Sequence, residues 1–428
     1  MPALVAVALP VPLRQRFDYR LPAGASAPLP GARVLVPFGK RSLVGLVVDA
    51  SPLPDDGRQY KTIERVLDEA PVAPAEWLAS LQWAADYYQH PLGEVVAAAL
   101  PAGLRAGRPA RLERPSALGL TAAGRAALPD LPARAQRLRA TLMALAEGDA
   151  TLKLDAATRR RALAAGWVEF IAAPPPAATI STGPALTAAQ DAALQALRAA
   201  PGFSVSLLEG ITGSGKTELY LRLAEEALAA GRQVLVLCPE IGLTPQLTER
   251  FKARFGPVVA GFHSGMGDAE RNRAWLAVRE GDARLLVGTR SAVFAPFAAL
   301  GLVIVDEEHD ASYKQQDGFR YHARDLALVR AKTWGAAVVL GSATPALETL
   351  ANAKAGRYRH VRLSERINPA TPAVPQLIDV KIYPTQHGLS EPLASAIERH
   401  LAAGGQALLF INRRGYAPIT LCRACGHQ

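Results

Sequence analysis

Short apolar runs separated by Gly and Pro clusters open the chain, at residues 3–9, 17–19, 33–39 and 43–49. Runs of that length between turn residues predict hairpins in a small β-barrel or sheet. Over residues 76–88 the period changes to a helical one, with Trp77, Leu81 and the Ala84/Ala85 pair on one face. Residues 133–147 align Leu138, Leu142 and Leu145 along a second helical stripe, residues 156–165 predict another helix, and residues 167–170 are short enough for a strand. Helix, helix and strand in that order fit a winged-helix module, or equally a helical linker domain with no ligand. The Pro-rich stretch 172–178 predicts a stiff, extended linker.

From about residue 184 the pattern becomes an alternation of strands and helices. The runs 204–208, 233–238, 284–287, 302–305 and 337–340 are largely apolar rather than alternating. Strands buried on both faces read this way, so the expected fold class is α/β with a doubly wound parallel sheet. A further unit begins near Pro375, with residues 376–380 and 406–411 expected as strands. The chain's 428 residues suffice for about three domains. The expected divisions are a β-rich domain over 1–105, a winged-helix-like module and linker over 106–180, an α/β domain over 181–372 and a further unit over 373–428.

Half of the residues are hydrophobic and a fifth are charged, which excludes disorder as the dominant state. The formal charge is +10, and the excess is concentrated over residues 101–170, where eleven Arg and one Lys stand against six acids. Such a segment is either a nucleic-acid-facing surface or a solvated, Arg-rich one. Three cysteines cannot build a disulfide framework. No uncharged apolar run reaches the ~18 residues a membrane span needs, so the expectation is a soluble, cytoplasmic protein without a membrane partner.

The chemistry is carried by Gly210-Ile-Thr-Gly-Ser-Gly-Lys216-Thr217, which has the spacing of a phosphate-binding loop between a predicted strand and a predicted helix. Its glycines allow backbone N–H groups to wrap phosphates at a helix N-terminus. Lys216 is expected on the β and γ phosphates and the Thr217 hydroxyl on Mg²⁺; Gly213, Ser214, Gly215 and Glu218 complete the loop. The second half of such a site is an acid at the end of a neighbouring apolar strand, and Leu302-Val-Ile-Val runs into Asp306-Glu307-Glu308-His309. Asp306 is expected to hold Mg²⁺ through water and Glu307 to orient or deprotonate the attacking water. Adjacent acids after a buried strand would be costly without a cation between them.

Asp-Glu-Glu-His together with Gly341-Ser-Ala-Thr-Pro345 resembles a superfamily 2 helicase. Cys238-Pro-Glu-Ile-Gly-Leu-Thr-Pro-Gln246, Phe262-His-Ser-Gly265, Val287-Gly-Thr-Arg-Ser-Ala292 and Asn412-Arg-Arg-Gly415 narrow the resemblance to the primosomal protein N′ family, the PriA-type replication restart helicases. Ser312-Tyr-Lys-Gln-Gln316, Phe319-Arg-Tyr-His-Ala-Arg-Asp325 and, near the start, Phe17-Asp18-Tyr19, Val36-Pro-Phe-Gly39 and Trp83-Ala-Ala-Asp-Tyr-Tyr88 agree with it. The resemblance implies a RecA-like helicase lobe over 181–372 and ATP with Mg²⁺ as cofactor. Gln190 then matches the reader of the adenine base, and Ser342 and Thr344 match residues that couple nucleotide state to DNA movement. The aromatic-rich loop carrying Tyr313, Phe319 and Tyr321 is expected to sense DNA, its rings stacking on unpaired bases with Lys314 and Arg320 near phosphates. The alternative for each ring is an ordinary core aromatic. Phe17, Asp18, Tyr19, Gly39 and Lys61 match a pocket that captures a nascent strand's 3′ end.

The implied function is an ATP-dependent 3′–5′ DNA helicase that recognises abandoned forks and restarts replication through primosome assembly. Forked and single-stranded DNA, single-stranded DNA-binding protein and primosome loader proteins are the implied partners, and the location is cytoplasmic and nucleoid-associated. Cys422-Arg-Ala-Cys425 has the spacing of half a zinc site, but a structural zinc needs four ligands, so that Zn²⁺ site is expected to be incomplete. The start of a second helicase lobe is expected from residue 373. This makes a non-catalytic fragment that binds fork DNA and ATP the alternative. A small-molecule phosphotransferase would leave the 287–292 and 341–345 strings without a purpose.

Overall fold

The computed structural model describes residues 4–22, 24–49, 59–114, 116–131, 135–147, 155–172, 175–198, 202–239, 244–367, 374–386 and 388–410. The chain forms two compact units, Met1–Asn368 and Pro369–Gln428.

The first unit opens with β1 (Leu4–Ala8), β2 (Phe17–Arg20), β3 (Arg33–Phe38), β4 (Arg41–Asp49) and β5 (Arg65–Val66) in the order β2-β1-β4-β3-β5. The expected hairpins form, and they close on themselves. Arg20 N donates to Lys61 O and Ile63 N to Arg20 O, both at 2.9 Å, so the segment before β5 pairs with the far edge strand. Closure removes the unpaired backbone edge that an open five-stranded sheet would expose. Val5, Val7, Tyr19, Val34, Val36, Val47 and Ile63 fill the interior. Arg33 is wholly buried; its guanidinium is bidentate to Asp68 at 2.7 Å and donates to Leu104 O at 2.6 Å.

Helices α1 (Ala75–Tyr87), α2 (Leu92–Ala99) and α3 (Ala102–Arg105) follow. The apolar face expected for α1 is buried at Trp77, Leu81, Ala84 and Ala85. Next comes a small unit of β6 (Ser116–Leu120), α4 (Ala122–Ala127), α5 (Gln136–Ala146), α6 (Ala156–Ala164) and β7 (Val168–Ala172). β6 pairs antiparallel with β7, and Leu142, Leu145, Ala162 and Val168 form its own core. Sequence periodicity finds its two longer helices and β7 but not β6, whose Ser-Ala-Leu-Gly-Leu has little strand character.

The α/β part runs α7 (Ala188–Arg198), β8 (Ser204–Gly210), α8 (Lys216–Ala229), β9 (Gln233–Leu237), α9 (Thr244–Phe255), β10 (Val259–Phe262), α10 (Asp268–Glu280), β11 (Leu285–Gly288), β12 (Leu300–Val305), α11 (Ala323–Trp334), β13 (Ala337–Ser342), α12 (Leu347–Lys354) and β14 (Arg359–Leu363). The seven strands are all parallel in the order β10-β11-β9-β12-β13-β8-β14, the doubly wound sheet expected. Strand residues alternate between two cores: Val234, Val236, Leu302 and Ile304 face α7, α8 and α9, whereas Leu235, Leu237, Val303 and Val305 face α10 and α11. The two strands missed in the sequence, β10 and β14, are the sheet edges. β14 reads Arg-His-Val-Arg-Leu, alternating because one face of an edge strand meets water.

Helices α1–α3 belong to the second of these cores, so the 1–105 segment shares its packing with the sheet. Trp77 Nε1 donates to Phe294 O at 2.6 Å, and the Trp77 and Trp275 rings meet edge to face at 6.0 Å. Arg330, with its side chain 1% exposed, is bidentate to Glu76 at 3.0 and 2.9 Å and donates to Val293 O and Ala295 O.

The second unit holds β15 (Thr385–Gln386), β16 (Leu389–Ser390) and α13 (Glu391–Ala402). Residues 376–380 and 406–410 are not strands, contrary to expectation, and residue 411 lies outside the described residues. Leu377 is 94% exposed there: an apolar run becomes a strand only where another strand takes up its N–H and C=O groups. Cys422, Cys425 and residues 412–415 also lie outside the described residues.

Candidate functional site

Strands β8, β13 and β12 are neighbours, and their C-terminal ends carry the three strings that sequence reading singled out. The phosphate loop joins β8 to α8. Gly213 and Gly215 take φ of +82° and +84°, the left-handed region that only glycine enters cheaply. A Cβ on Gly215 would stand 2.3 Å from Gln190 Nε2 and 2.6 Å from Ile367. Lys216 is the first residue of α8; its Nζ donates to Gly210 O at 2.8 Å and lies 3.6 Å from Glu307 Oε1. The cleft here has a volume of about 630 Å³ and is lined by residues 211–218, by Asp306 and Glu307, and by Arg250, Arg254 and the 181–184 segment. That size suits a nucleotide-class ligand. A larger cavity of about 900 Å³, between residues 102–114 and α10, holds none of these motif residues.

The residues fit a magnesium nucleotide. Ser214 Oγ is buried in the loop with no hydrogen-bond partner among the described residues, as a phosphate contact would leave it. The candidate metal donors Thr217 and Asp306 are hard oxygens, the type Mg²⁺ takes. Burial pushes the Asp306 carboxyl above its ordinary range, with the Tyr220 hydrogen bond and the Lys216 charge opposing and the Glu307 charge adding. A cation in the cleft would reverse that balance.

Glu307 has φ +44°, an uncommon conformation for a residue with a side chain. From it a polar chain runs to the next motif: Glu307 Oε2 is 3.7 Å from His309 Nδ1, which is 2.7 Å from Ser342 Oγ. Ser342 Oγ accepts from Thr344 N at 2.9 Å, and Thr344 Oγ1 lies 3.5 Å from His309 Nε2. Ser342 and Thr344 thus meet the acidic motif through one imidazole. The third acid points elsewhere. Glu308 is buried and accepts from Arg324, Thr349 Oγ1 and Ala346 N, each at 2.8 Å, tying β12 to α11 and α12.

Gln190 is 4% exposed and its amide is committed on both sides. Its Oε1 accepts from Thr187 N at 3.0 Å, the reciprocal cap of α7, and its Nε2 donates to Ser214 O at 3.1 Å. In this arrangement Gln190 braces the loop, and reading a base would require it to exchange those bonds.

The aromatic loop corrects an expectation. Tyr313, Phe319 and Tyr321 are buried and offer no face to a base; Phe319 packs with Phe294, Tyr321, Tyr88 and His90, and Tyr321 packs with Phe294. All three belong to the core shared by the sheet's α10–α11 face and the N-terminal helices, which is the core alternative. Tyr313 OH donates to Asp306 O at 2.5 Å, Lys314 Nζ to Arg320 O at 2.6 Å, and Arg290 Nη1 to Ser312 O and Lys314 O at 2.8 and 3.1 Å. The loop is therefore tied to the backbone of the acidic motif.

At the barrel, Phe17 meets Phe38 edge to face at 5.4 Å, and Tyr19 OH donates to Pro37 O at 3.2 Å. Both rings therefore reach the end of β3, just before Gly39, whose φ is +62°, while Lys61 is exposed beside Arg20. Strand alternation sets Asp18, opposite Ala6, on the other face of β2 from the two rings.

Residues 6–101 match the family described as a 3′DNA-binding domain (3′BD), and residues 187–353 match the DEAD/DEAH box helicase family. Over 99% of its length the chain is 42% identical to the replication restart protein PriA of Haemophilus influenzae, covering 60% of that protein. It is 32% identical to the replication restart protein PriA of Bacillus subtilis, over 96% of the chain and 62% of the relative. The chain is thus similar to replication restart PriA proteins over nearly its whole length. It spans about 60% of the length of these two curated PriA relatives. A solved structure of RecG bound to a three-way DNA junction is 24% identical, covering 45% of this chain and 25% of that one with a TM-score of 0.35.

Sequence reading missed Tyr220, Arg290, Arg324 and Tyr88. Tyr220 stands one helical turn after Lys216, which places it on the same face of α8 and is the one available signal. Arg290 and Arg324 sit inside quoted strings, but their partners are carbonyls and a buried acid that spacing does not reveal. Among the described residues, no group of three or more His, Cys, Asp or Glu is arranged to hold a metal ion, and no helix is long and apolar enough to cross a membrane.

Proposed function

We propose that this chain is the fork-recognising and nucleotide-binding part of a replication restart machine that unwinds DNA 3′ to 5′ at the expense of ATP. The observation that carries the reading is the meeting of Lys216, Asp306, Glu307, His309 and Ser342 at one end of the sheet, on a unit whose other core face holds the N-terminal DNA-binding segment. Residues 213–217 wrap the phosphates and Lys216 neutralises the terminal ones. Thr217 and Asp306 would hold Mg²⁺, which supplies charge stabilisation to the transferring phosphoryl group. Glu307 orients the attacking water, and a change at Glu307 reaches Ser342 and Thr344 through His309. The 3′ end of a nascent strand is bound at Phe17, Asp18, Tyr19, Gly39 and Lys61.

Forked and single-stranded DNA are the proposed substrates. Single-stranded DNA-binding protein and primosome loaders are the proposed partners, in the cytoplasm at the nucleoid. Zn²⁺ enters only through Cys422 and Cys425, which supply two of the four ligands a structural zinc needs. A second reading is a non-catalytic protein that binds fork DNA and ATP with little turnover. DNA-stimulated ATP hydrolysis by the wild-type chain and by Lys216→Ala separates the two. Turnover at ordinary helicase rates, lost in the variant, supports the motor. Nucleotide binding without turnover supports the non-catalytic reading, and equal unwinding by both proteins would overturn the motor assignment.

A further inference from the structure

Tyr220 is a hydroxyl in an unusual place. It projects from α8, one turn after Lys216, is wholly buried, and donates to Asp306 Oδ1 at 2.9 Å. To make that bond it crosses the end of β13, which lies between the loop-bearing strand β8 and the acid-bearing strand β12. The crossing uses the space over Gly341, where a Cβ would stand 1.7 Å from the Tyr220 hydroxyl oxygen. Gly341 has no positive φ, so conformational freedom does not explain a glycine there; the room it leaves for the hydroxyl does. One atom therefore joins the helix after the phosphate loop, the strand ending in Asp306 and the strand ending in Ser342.

We propose that Tyr220 is a positioning residue: it fixes the Asp306 carboxylate by one oxygen, leaving the other to face the magnesium of a bound nucleotide. An ionised carboxylate only accepts, so the phenol must be the donor, and its ring is held by the packing of α8 against the sheet. A carboxylate that serves a metal is usually held by such an outer partner, whose removal costs roughly 10–100-fold in metal affinity. The sequence Lys216-Thr-Glu-Leu-Tyr220 is then a metal-orienting element as well as a phosphate-binding one. This inference rests on the nucleotide-site reading and goes beyond it by naming what orients the metal-side acid.

The test is Tyr220→Phe in the 428-residue chain, which keeps the ring and removes only the hydroxyl. Binding of a fluorescent methylanthraniloyl ATP is measured while Mg²⁺ is titrated, with a parallel arm in EDTA. The expected result is a rise of about tenfold in the Mg²⁺ concentration for half-saturation, with metal-free binding unchanged and the far-UV circular dichroism of the folded chain retained. Gly341→Ala, which pushes on the same hydroxyl, is expected to raise the Mg²⁺ requirement in the same direction. An Mg²⁺ requirement within twofold of wild type in Tyr220→Phe would overturn the inference while leaving the nucleotide site standing. So would an equal loss with and without metal. A wild-type chain that binds no nucleotide in either arm would remove the site itself, and the inference with it.

Discussion

A buried ion pair is among the contacts that hold the N-terminal segment to the sheet, and its removal is a sharp test of the fold. Glu76 and Arg330 are 254 residues apart, their side chains are 9% and 1% exposed, and the guanidinium also donates to Val293 O and Ala295 O at 2.6 and 2.8 Å. Glu76→Gln keeps the shape and one acceptor but leaves the guanidinium without a countercharge in a site closed to water. Breaking a buried pair from one side costs about 3–5 kcal/mol, and the retained acceptor places this case near the lower figure. Against a total of about 5–15 kcal/mol that is a large share. With a urea slope of about 3 kcal/mol per molar, the unfolding midpoint falls by about 1 M. Equilibrium urea unfolding followed by tryptophan emission is the assay, since Trp77 and Trp275 pack together beside the pair. A cycle with Arg330→Met separates pairing from packing. The double variant is expected to be about 2 kcal/mol less destabilised than the singles summed, because it removes the orphaned charge. A Glu76→Gln midpoint within 0.2 M of wild type at these slopes, or strictly additive singles, would refute the reasoning.

Three further outcomes are expected. Gly215→Ala, whose Cβ would meet Gln190 Nε2 at 2.3 Å in a left-handed backbone, is expected to weaken nucleotide binding at least tenfold by calorimetry while the protein stays folded; wild-type affinity would show that the loop does not hold phosphate. Asp18→Ala is expected to weaken binding to forks with a free 3′-OH more than to 3′-phosphorylated forks in anisotropy titrations, and equal losses on both would remove the 3′-end pocket. Burial pushes the Cys238 thiol up to about 11, so it stays neutral through pH 8 and gains its thiolate only as the pH rises toward that value. In Cys422→Ser/Cys425→Ser the remaining thiol should ignore a disulfide reagent at pH 8 until urea is added, and rapid labelling of the native protein would contradict that burial.

Local order was legible in the chain wherever one residue's chemistry sufficed. Gly213 and Gly215 announce a backbone that side chains avoid, and the apolar runs at β9 and β12 announce strands covered on both faces. The 3.6-residue stripe of α1 announces a helix with one buried face. Short strands at the sheet's edges were illegible for the opposite reason. β10 and β14 depend on a neighbour for half of their hydrogen bonds, while residues 376–380, just as apolar, find no partner among the described residues and remain irregular.

The sequence alone determined the nucleotide loop, the acidic motif and the α/β class, because those follow from spacing over a few residues. Only the tertiary structure decided what lies against what. It sends the Tyr220 hydroxyl across Gly341 to Asp306, closes the barrel through Arg20 and Lys61, and turns Tyr313, Phe319 and Tyr321 inward to the core. Each of these joins residues from distant parts of the chain, and an aromatic ring or a hydroxyl reads alike in sequence whether it will face water or a partner. Burial is a property of the neighbour that arrives, and the neighbour is chosen by the fold.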